Sequence, residues 1–421
     1  MKTLSKGILA KPLFAVSLAA CSPAMAIDIN DSSQIHGFVN QAFLYSPDNP
    51  YAGTDSKNGS VKFRELGVNG FTELTPEFRL AGQVLSRQQD EADDGDVRID
   101  FLLADYLVFS DQNISFGIRA GRVKNNIGFY NAIRDIPSAR PGYNVPDSIY
   151  FDAFRDTLLS IDGVNLYGSV LFSENLITWE VSGGQRNINL DDFEEFAFGQ
   201  RVSMGKSDDI PLWLLNLNLV PAFDRDLRLG LSLVDLTIDL DETQSVAEAQ
   251  EALMSAPPGD ITANPLSYVT DGKFEGLLAI VSAQYSYQDW IMTAEYLNLE
   301  TDFHAEIIGQ PSSDSVTTEG YYLQLEWLAT ARTSWFTRYE ELYLDKNDRS
   351  GEITARPNNR YRGFGKGWTL GGQWRFATDW SVMGQASFNE GTAWLPNYNG
   401  REDEDLDKYW NYYVLSLNYQ F

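Results

Sequence analysis

The final stretch of the chain, residues 409–421 (YWNYYVLSLNYQF), alternates with a period of two. Tyr413, Leu415, Leu417, Tyr419 and Phe421 fall on one side, and Tyr412, Val414, Ser416, Asn418 and Gln420 on the other. Successive side chains of a strand point to opposite faces, so this segment reads as a β-strand with one apolar and one wetter face. No segment after Phe421 is expected to cover its edge. Taken alone, the pattern fits the edge of a soluble sandwich as well as a member of a closed sheet.

The same alternation recurs along the chain. Strands are expected near 34–45, 61–74, 78–88, 97–109, 114–123, 160–172 and 176–188, in one ending near Val220, and near 227–240, 274–287 and 290–303. Four more surround Tyr321–Trp327, Trp335–Glu340, Trp368–Phe376 and Trp380–Asn389, and the closing strand makes about sixteen. In the third, Phe78, Leu80, Gly82 and Val84 oppose Arg79, Gln83 and Arg87. In the ninth, Leu227 to Leu233 use odd positions while Leu236, Ile238 and Leu240 use even ones, which predicts a bulge near Val234. Tight turns and longer loops are expected to alternate strictly, with aromatics such as Tyr285, Tyr287, Trp290, Phe376 and Trp380 flanking the turns. Two connections stand out: 124–159, without a clean period and holding Pro137, Pro141 and Pro146, and 241–272, whose EAQEALMSA reads as a short helix.

An even number of half-apolar strands, one rim of tight turns and one of loops, and aromatics at the turns describe a membrane barrel. Bare backbone cannot face hydrocarbon, so only a closed sheet satisfies every N–H and C=O there. The fold class is therefore all-β: a transmembrane antiparallel β-barrel of about sixteen strands. A mean hydropathy of −0.29 with 13 % aromatic residues suits strands that are only half apolar. No run of about eighteen apolar residues offers a spanning helix.

The N-terminus reads as an export signal: Lys2, Lys6 and Lys11, an apolar run to Cys21, then Ala24-Met25-Ala26. Cleavage is expected after Ala26, giving a signal at 1–26 and a barrel at 27–421. The competing reading, Leu18-Ala19-Ala20-Cys21 as a lipoprotein signal, is disfavoured because a barrel gains little from one more anchor. Cys21 is the single cysteine, so no disulfide framework exists. A net charge of −27 argues against nucleic-acid binding, which needs basic surface. The acids concentrate between strands, at 90–96, 191–195, 239–251 and 402–407. Blocks of like charge are usually solvated loops; the functional alternative is loosely bound divalent cations near lipopolysaccharide phosphates. No other cofactor is expected, and no metal-ligand spacing is present.

The terminal Phe421 on an aromatic-rich strand, with the GRVKNNIGFYN stretch entering the 124–159 loop, resembles the Gram-negative outer-membrane porins. The resemblance implies a sixteen-stranded, typically trimeric barrel whose third loop folds into the lumen as a constriction. It also implies residence in the outer membrane, contact with its lipid and lipopolysaccharide, and recognition of the Phe421 strand by the barrel assembly machinery. The expected function is a water-filled channel for passive diffusion of ions and small hydrophilic solutes, either general or solute-specific. Arg79, Arg119, Lys124, Arg134, Asp135, Arg140, Asp147, Arg155 and Arg375 are the candidate pore-lining residues. Charged rings at a narrowing set selectivity, and Arg134, Arg140 and Arg155 with inward Arg119, Arg79 and Arg375 are expected to form a cationic strip facing acids such as Asp135. The alternative is that these arginines pair with nearby aspartates and only pin the loop.

Catalysis is not expected. His36 and His304 are the two histidines, and spacing sets no Ser or Asp beside either. An energised receptor would need a plug domain ahead of strand one, for which the chain leaves about ten residues. A non-conducting or narrow barrel serving as adhesin or surface receptor remains the rival reading.

Overall fold

A computed structural model of the chain describes residues 27–152, 155–189, 206–240, 245–256, 268–355, 359–396 and 405–421. The expected signal at 1–26 and the acidic stretch 191–195 lie outside the described residues, as do 402–404 of the stretch 402–407. A short strand, Ile27–Asn30 (β1), opens the described chain. The wall follows as Ser33–Tyr45 (β2), Ser60–Glu73 (β3), Phe78–Gln89 (β4), Asp93–Ser110 (β5), Ile114–Lys124 (β6), Ser160–Phe172 (β7), Asn175–Asn189 (β8) and Lys206–Val220 (β9). It continues as Leu227–Leu240 (β10), Val269–Tyr287 (β11), Trp290–Ile307 (β12), Gln310–Thr330 (β13), Thr333–Tyr343 (β14), Phe364–Arg375 (β15), Trp380–Gly391 (β16) and Tyr409–Gln420 (β17).

Each of these sixteen wall strands pairs antiparallel with its sequence neighbours, and β17 closes onto β2 from Tyr413 opposite Tyr45 to Gln420 opposite Phe38. Phe421 exchanges two backbone hydrogen bonds with Gly37, and β1 pairs with β2 just beyond, at residues 33–35. The sheet has no free edge, which is the condition for crossing a bilayer. Its outward face is apolar and exposed, as at Val39, Leu66, Val68, Leu80, Leu102, Val281, Leu323, Leu370, Leu415 and Leu417. A continuous apolar surface of this kind is covered by lipid rather than water. Paired aromatics bound it: Trp290 stacked on Trp327 (5.7 Å) and Trp380 tilted against Tyr419 (4.8 Å) near the turns, Tyr45 stacked on Tyr413 (6.3 Å) near the loops.

Three expectations need correction. No bulge interrupts β10, because residues 227–240 pair one for one with 285–272 on β11. Even-numbered residues face inward throughout; Val234, Leu236 and Ile238 are apolar because something apolar packs on them inside the lumen. The stretch between His304 and Tyr321 is no long loop: β12 and β13 stay paired to a tight turn at Ile308-Gly309, so short and long connections do not alternate strictly. The acidic stretch 90–96 is mostly strand, with β5 starting at Asp93. The short helix expected after β10 is present as Val246–Ser255 (α2 in chain order), with Ser245 and Glu248 forming a reciprocal cap.

Candidate functional site: the loop inside the barrel

Sixteen strands enclose more space than wall side chains can fill. Residues 125–152 and 155–159 occupy it, including a single-turn helix Arg155–Leu158 (α1). Lys124 is the last residue of β6 rather than part of the loop. The loop meets the inward wall on many sides. Gly128 N–H donates to Ser232 on β10 (2.9 Å), Phe129 N–H to Glu295 on β12 (2.8 Å), Tyr143 N–H to Gln385 on β16 (2.8 Å) and Ser148 N–H to Glu340 on β14 (3.0 Å). Arg140 forks onto Glu65 of β3, and Asn126 donates to Glu180 of β8 (2.7 Å). Backbone polar groups that leave water need partners, and the wall supplies them.

Packing reinforces these bonds. Ile127, Tyr130, Val145, Ile149 and Phe151 join Val234, Leu236, Ile238, Leu278, Leu297 and Leu342 in one buried cluster, so the apolar core sits within the lumen. Tyr51 from the 46–59 loop enters it, 4.9 Å from Tyr412, and Trp394 from the last loop joins from above. Every wall strand contributes at least one inward side chain no more than 6 % exposed, from Leu44 and Phe63 through Ile161, Leu212 and Leu297 to Gln385 and Tyr412. The loop and these inward side chains bury one another inside the barrel.

The charges fall into two groups. At the loop, Lys124 reaches Asp100 (2.7 Å) and Asp135 (3.1 Å), and Arg155 also grips Asp135. Arg134 reaches Asp152 (3.0 Å) and the carbonyl of Tyr150, while Arg87 of β4 holds the other oxygen of Asp152 (2.7 Å). Nearer the turns, Arg79 and Arg119 share Asp105 (2.8 and 3.6 Å), and Arg119 lies 3.9 Å over the Tyr167 ring. Arg375 takes the inward parity of β15 near the same end. Burial raises the Asp135 carboxyl's pKa, but Arg155, Lys124 and Arg134 outweigh it and hold it well below the carboxylate range. Asp152 is held down by Arg87, Arg134 and Arg155 in the same way. Burial pushes the Arg134 guanidinium down to about 10, still charged at neutral pH. Both carboxylates titrate below their unfolded values, so their stabilisation is complete at neutral pH and is lost only in strong acid. Asp147 differs: it is half-buried with no hydrogen bond or ion pair among the described residues, and burial with Glu340 nearby pushes its carboxyl up.

The arginines proposed as a strip, Arg134, Arg140 and Arg155, are thus no more than 7 % exposed, and each is paired with a carboxylate. Arg140 meets Glu65 of the wall, while the Arg134–Asp152 and Arg155–Asp135 pairs join residues of the loop to one another. Sequence reading missed the wall residues that receive it, Glu65, Arg87, Glu295, Arg338, Glu340 and Gln385. Their one signal was charged or amide groups on the inward parity of otherwise ordinary strands.

Close approach also matters. A Cβ at Gly320 would stand 2.0 Å from the Ser148 carbonyl oxygen. Gly320→Val is expected to push the loop off β13 at a cost of ~1–3 kcal/mol, lowering the temperature at which the folded barrel unfolds in detergent. An unchanged melting temperature would refute this contact.

No protein-family model matches the chain, and no curated protein matches it in sequence. Solved structures do. Outer-membrane expressed OmpT of Vibrio cholerae aligns with a TM-score of 0.53 at 11 % identity, covering 93 % of this chain and 99 % of that one. The anion-selective porin from Comamonas acidovorans aligns at 0.53 and 12 % over 93 % and 99 %. The outer membrane channel DcaP of Acinetobacter baumannii aligns at 0.51 and 10 % over 93 % and 98 %. At such identities the likeness is one of fold: the chain has the porin-like outer-membrane barrel.

Proposed function

We propose that this porin-fold barrel is a bacterial outer-membrane channel of narrow bore for small hydrophilic solutes, controlled by the loop at 125–159. The observation carrying the reading is the closed ring of buried inward side chains around a loop pinned by ion pairs. A wide, general diffusion pore would leave much of that ring wet. A constricted lumen with fixed charges favours small, polar solutes.

Planar-bilayer recordings of the purified mature protein test this. Small unitary steps are expected, with ions and the smallest sugars passing and larger sugars excluded; a large conductance indifferent to solute size would sink the narrow-bore reading. Reversal potentials of Arg134→Glu and Arg140→Glu channels separate pinning from selectivity, because a pinning role predicts altered gating noise with little change in ion preference.

Homotrimeric assembly, contact with outer-membrane lipid and lipopolysaccharide, divalent cations at the acidic outer segments, and recognition of the closing strand by the barrel assembly machinery belong to the same proposal. The position of Phe421 at the seam supports the last of these. The buried ring also favours a second reading, a surface receptor that does not conduct. Complete absence of channel events from correctly folded protein would select it.

A further inference from the structure

One polar cavity of about 30 Å³ lies where the loop meets β3 and β4, under Trp394 and Pro396 of the last loop. Four guanidinium groups line it, those of Arg87, Arg134, Arg140 and Arg155, and so do four carboxyl groups, those of Glu65, Asp135, Asp147 and Asp152. Most of them satisfy one another, but three hydrogen-bonding groups do not. Arg140 Nε and Arg155 Nη1 are buried with no acceptor in reach among the described residues, on side chains 7 % and 5 % exposed. Asp147 has no donor among them. A buried guanidinium N–H normally has a partner, and an orphaned one points to a group that completes it.

The leftover pattern has two signs on one cavity wall: donors on arginine and an acceptor on aspartate. With Asp147 ionised, the charged side chains balance at four against four, so a net anion or a net cation would each leave one buried charge unmatched, which is costly. We propose, resting on the channel reading above, that this cavity is a solute-binding step for small zwitterions of the amino-acid type. The solute's carboxylate accepts from Arg140 and Arg155, and its ammonium donates to Asp147. An ammonium beside Asp147 also offsets the neighbouring Glu340 carboxylate, which otherwise disfavours the ionised form. Tyr51, Tyr143 and Trp394 close the cavity with aromatic faces, leaving little room beyond the charged ends of the solute.

Glycine, acetate and methylammonium separate the two ends of such a solute. With the full mature chain in a planar bilayer, millimolar glycine is expected to reduce the ion current in a saturable way, while equal acetate or methylammonium does so at least tenfold less well. Asp147→Asn removes no contact present in the protein and is expected to weaken the glycine effect at least tenfold. Titration calorimetry of the detergent-solubilised protein gives a readout independent of conduction. Asp147-dependent heat from glycine in a barrel that passes no current would uphold the site and overturn the channel. A normal channel with neither block nor heat from glycine, or with acetate acting as strongly, would overturn the site and leave the channel standing. Glycine effects unchanged in Asp147→Asn would also overturn it, the orphaned donors then being met by water alone.

Discussion

Excising residues 128–157 and bridging the gap with a short Gly/Ser linker is expected to raise single-channel conductance several-fold and to admit sugars that the intact barrel excludes. A sixteen-stranded wall holds an aqueous channel once nothing fills it. The loop is what fills it here, since the buried ring of inward side chains is covered by loop atoms together with Tyr51 and Trp394. The same excision has a cost. Val234, Leu236, Leu278 and Leu297 would face water on the inward side, losing burial worth roughly 25 cal/mol per Å². The truncated barrel is therefore expected to unfold at a markedly lower temperature in detergent, seen as an earlier shift from compact to extended migration on gels. Unaltered conductance in a properly folded truncated barrel would mean that the passage runs elsewhere and that the loop does not govern it.

A single wall residue is expected to do much of the same. Glu295 is 2 % exposed and accepts from the hydroxyls of Ser282 (2.5 Å), Tyr150 (2.6 Å) and Tyr322 (2.9 Å) and from the backbone N–H of Phe129. Two of those donors belong to the loop. Removing a buried acceptor costs ~1–3 kcal/mol for each group left unsatisfied, and hydroxyls can partly turn elsewhere, so Glu295→Ala should destabilise the seated loop by roughly 3 kcal/mol. Current traces from Glu295→Ala are expected to flicker between the intact level and a larger one, as the loop detaches and reseats. Trypsin offers a second measurement. Arg134 and Arg155 are buried in the intact barrel and should resist cleavage, whereas the variant should be cut there. Glu295→Gln keeps an acceptor and should fall between the two. If both variants record and digest like the intact barrel, Glu295 does not hold the loop.

How much of this could be read from residues alone differs by region. Wall strands were legible because membrane on one side and polar lumen on the other enforce a period of two, as in β4, β15 and β17. That rule failed where the lumen is not polar. Leu236 and Ile238 look like a slip of register, yet they are inward residues meeting the loop. It failed again at 304–320, where both faces of the hairpin are largely exposed and polar, so no apolar face marks it as strand. The inward folding of 125–159 was expected only from resemblance. Its seat was not legible, because Phe129 and Glu295, or Ser148 and Glu340, are far apart in sequence and meet only in the closed sheet. The arginines were found by composition, but their partners decide their role, and partners are a matter of geometry.

The long hairpin of β12 and β13, flanked by β11, gives the molecule an uneven skyline. β13 has twenty-one residues, and at about 3.3 Å per residue with a tilt near 40° it stands on the order of 50 Å tall, about twice the height of the apolar band. On that flank the paired strands therefore rise well beyond the apolar band. A large object approaching that flank, such as an antibody or a phage tail fibre, meets the exposed crest of β12 and β13 before it meets the apolar band.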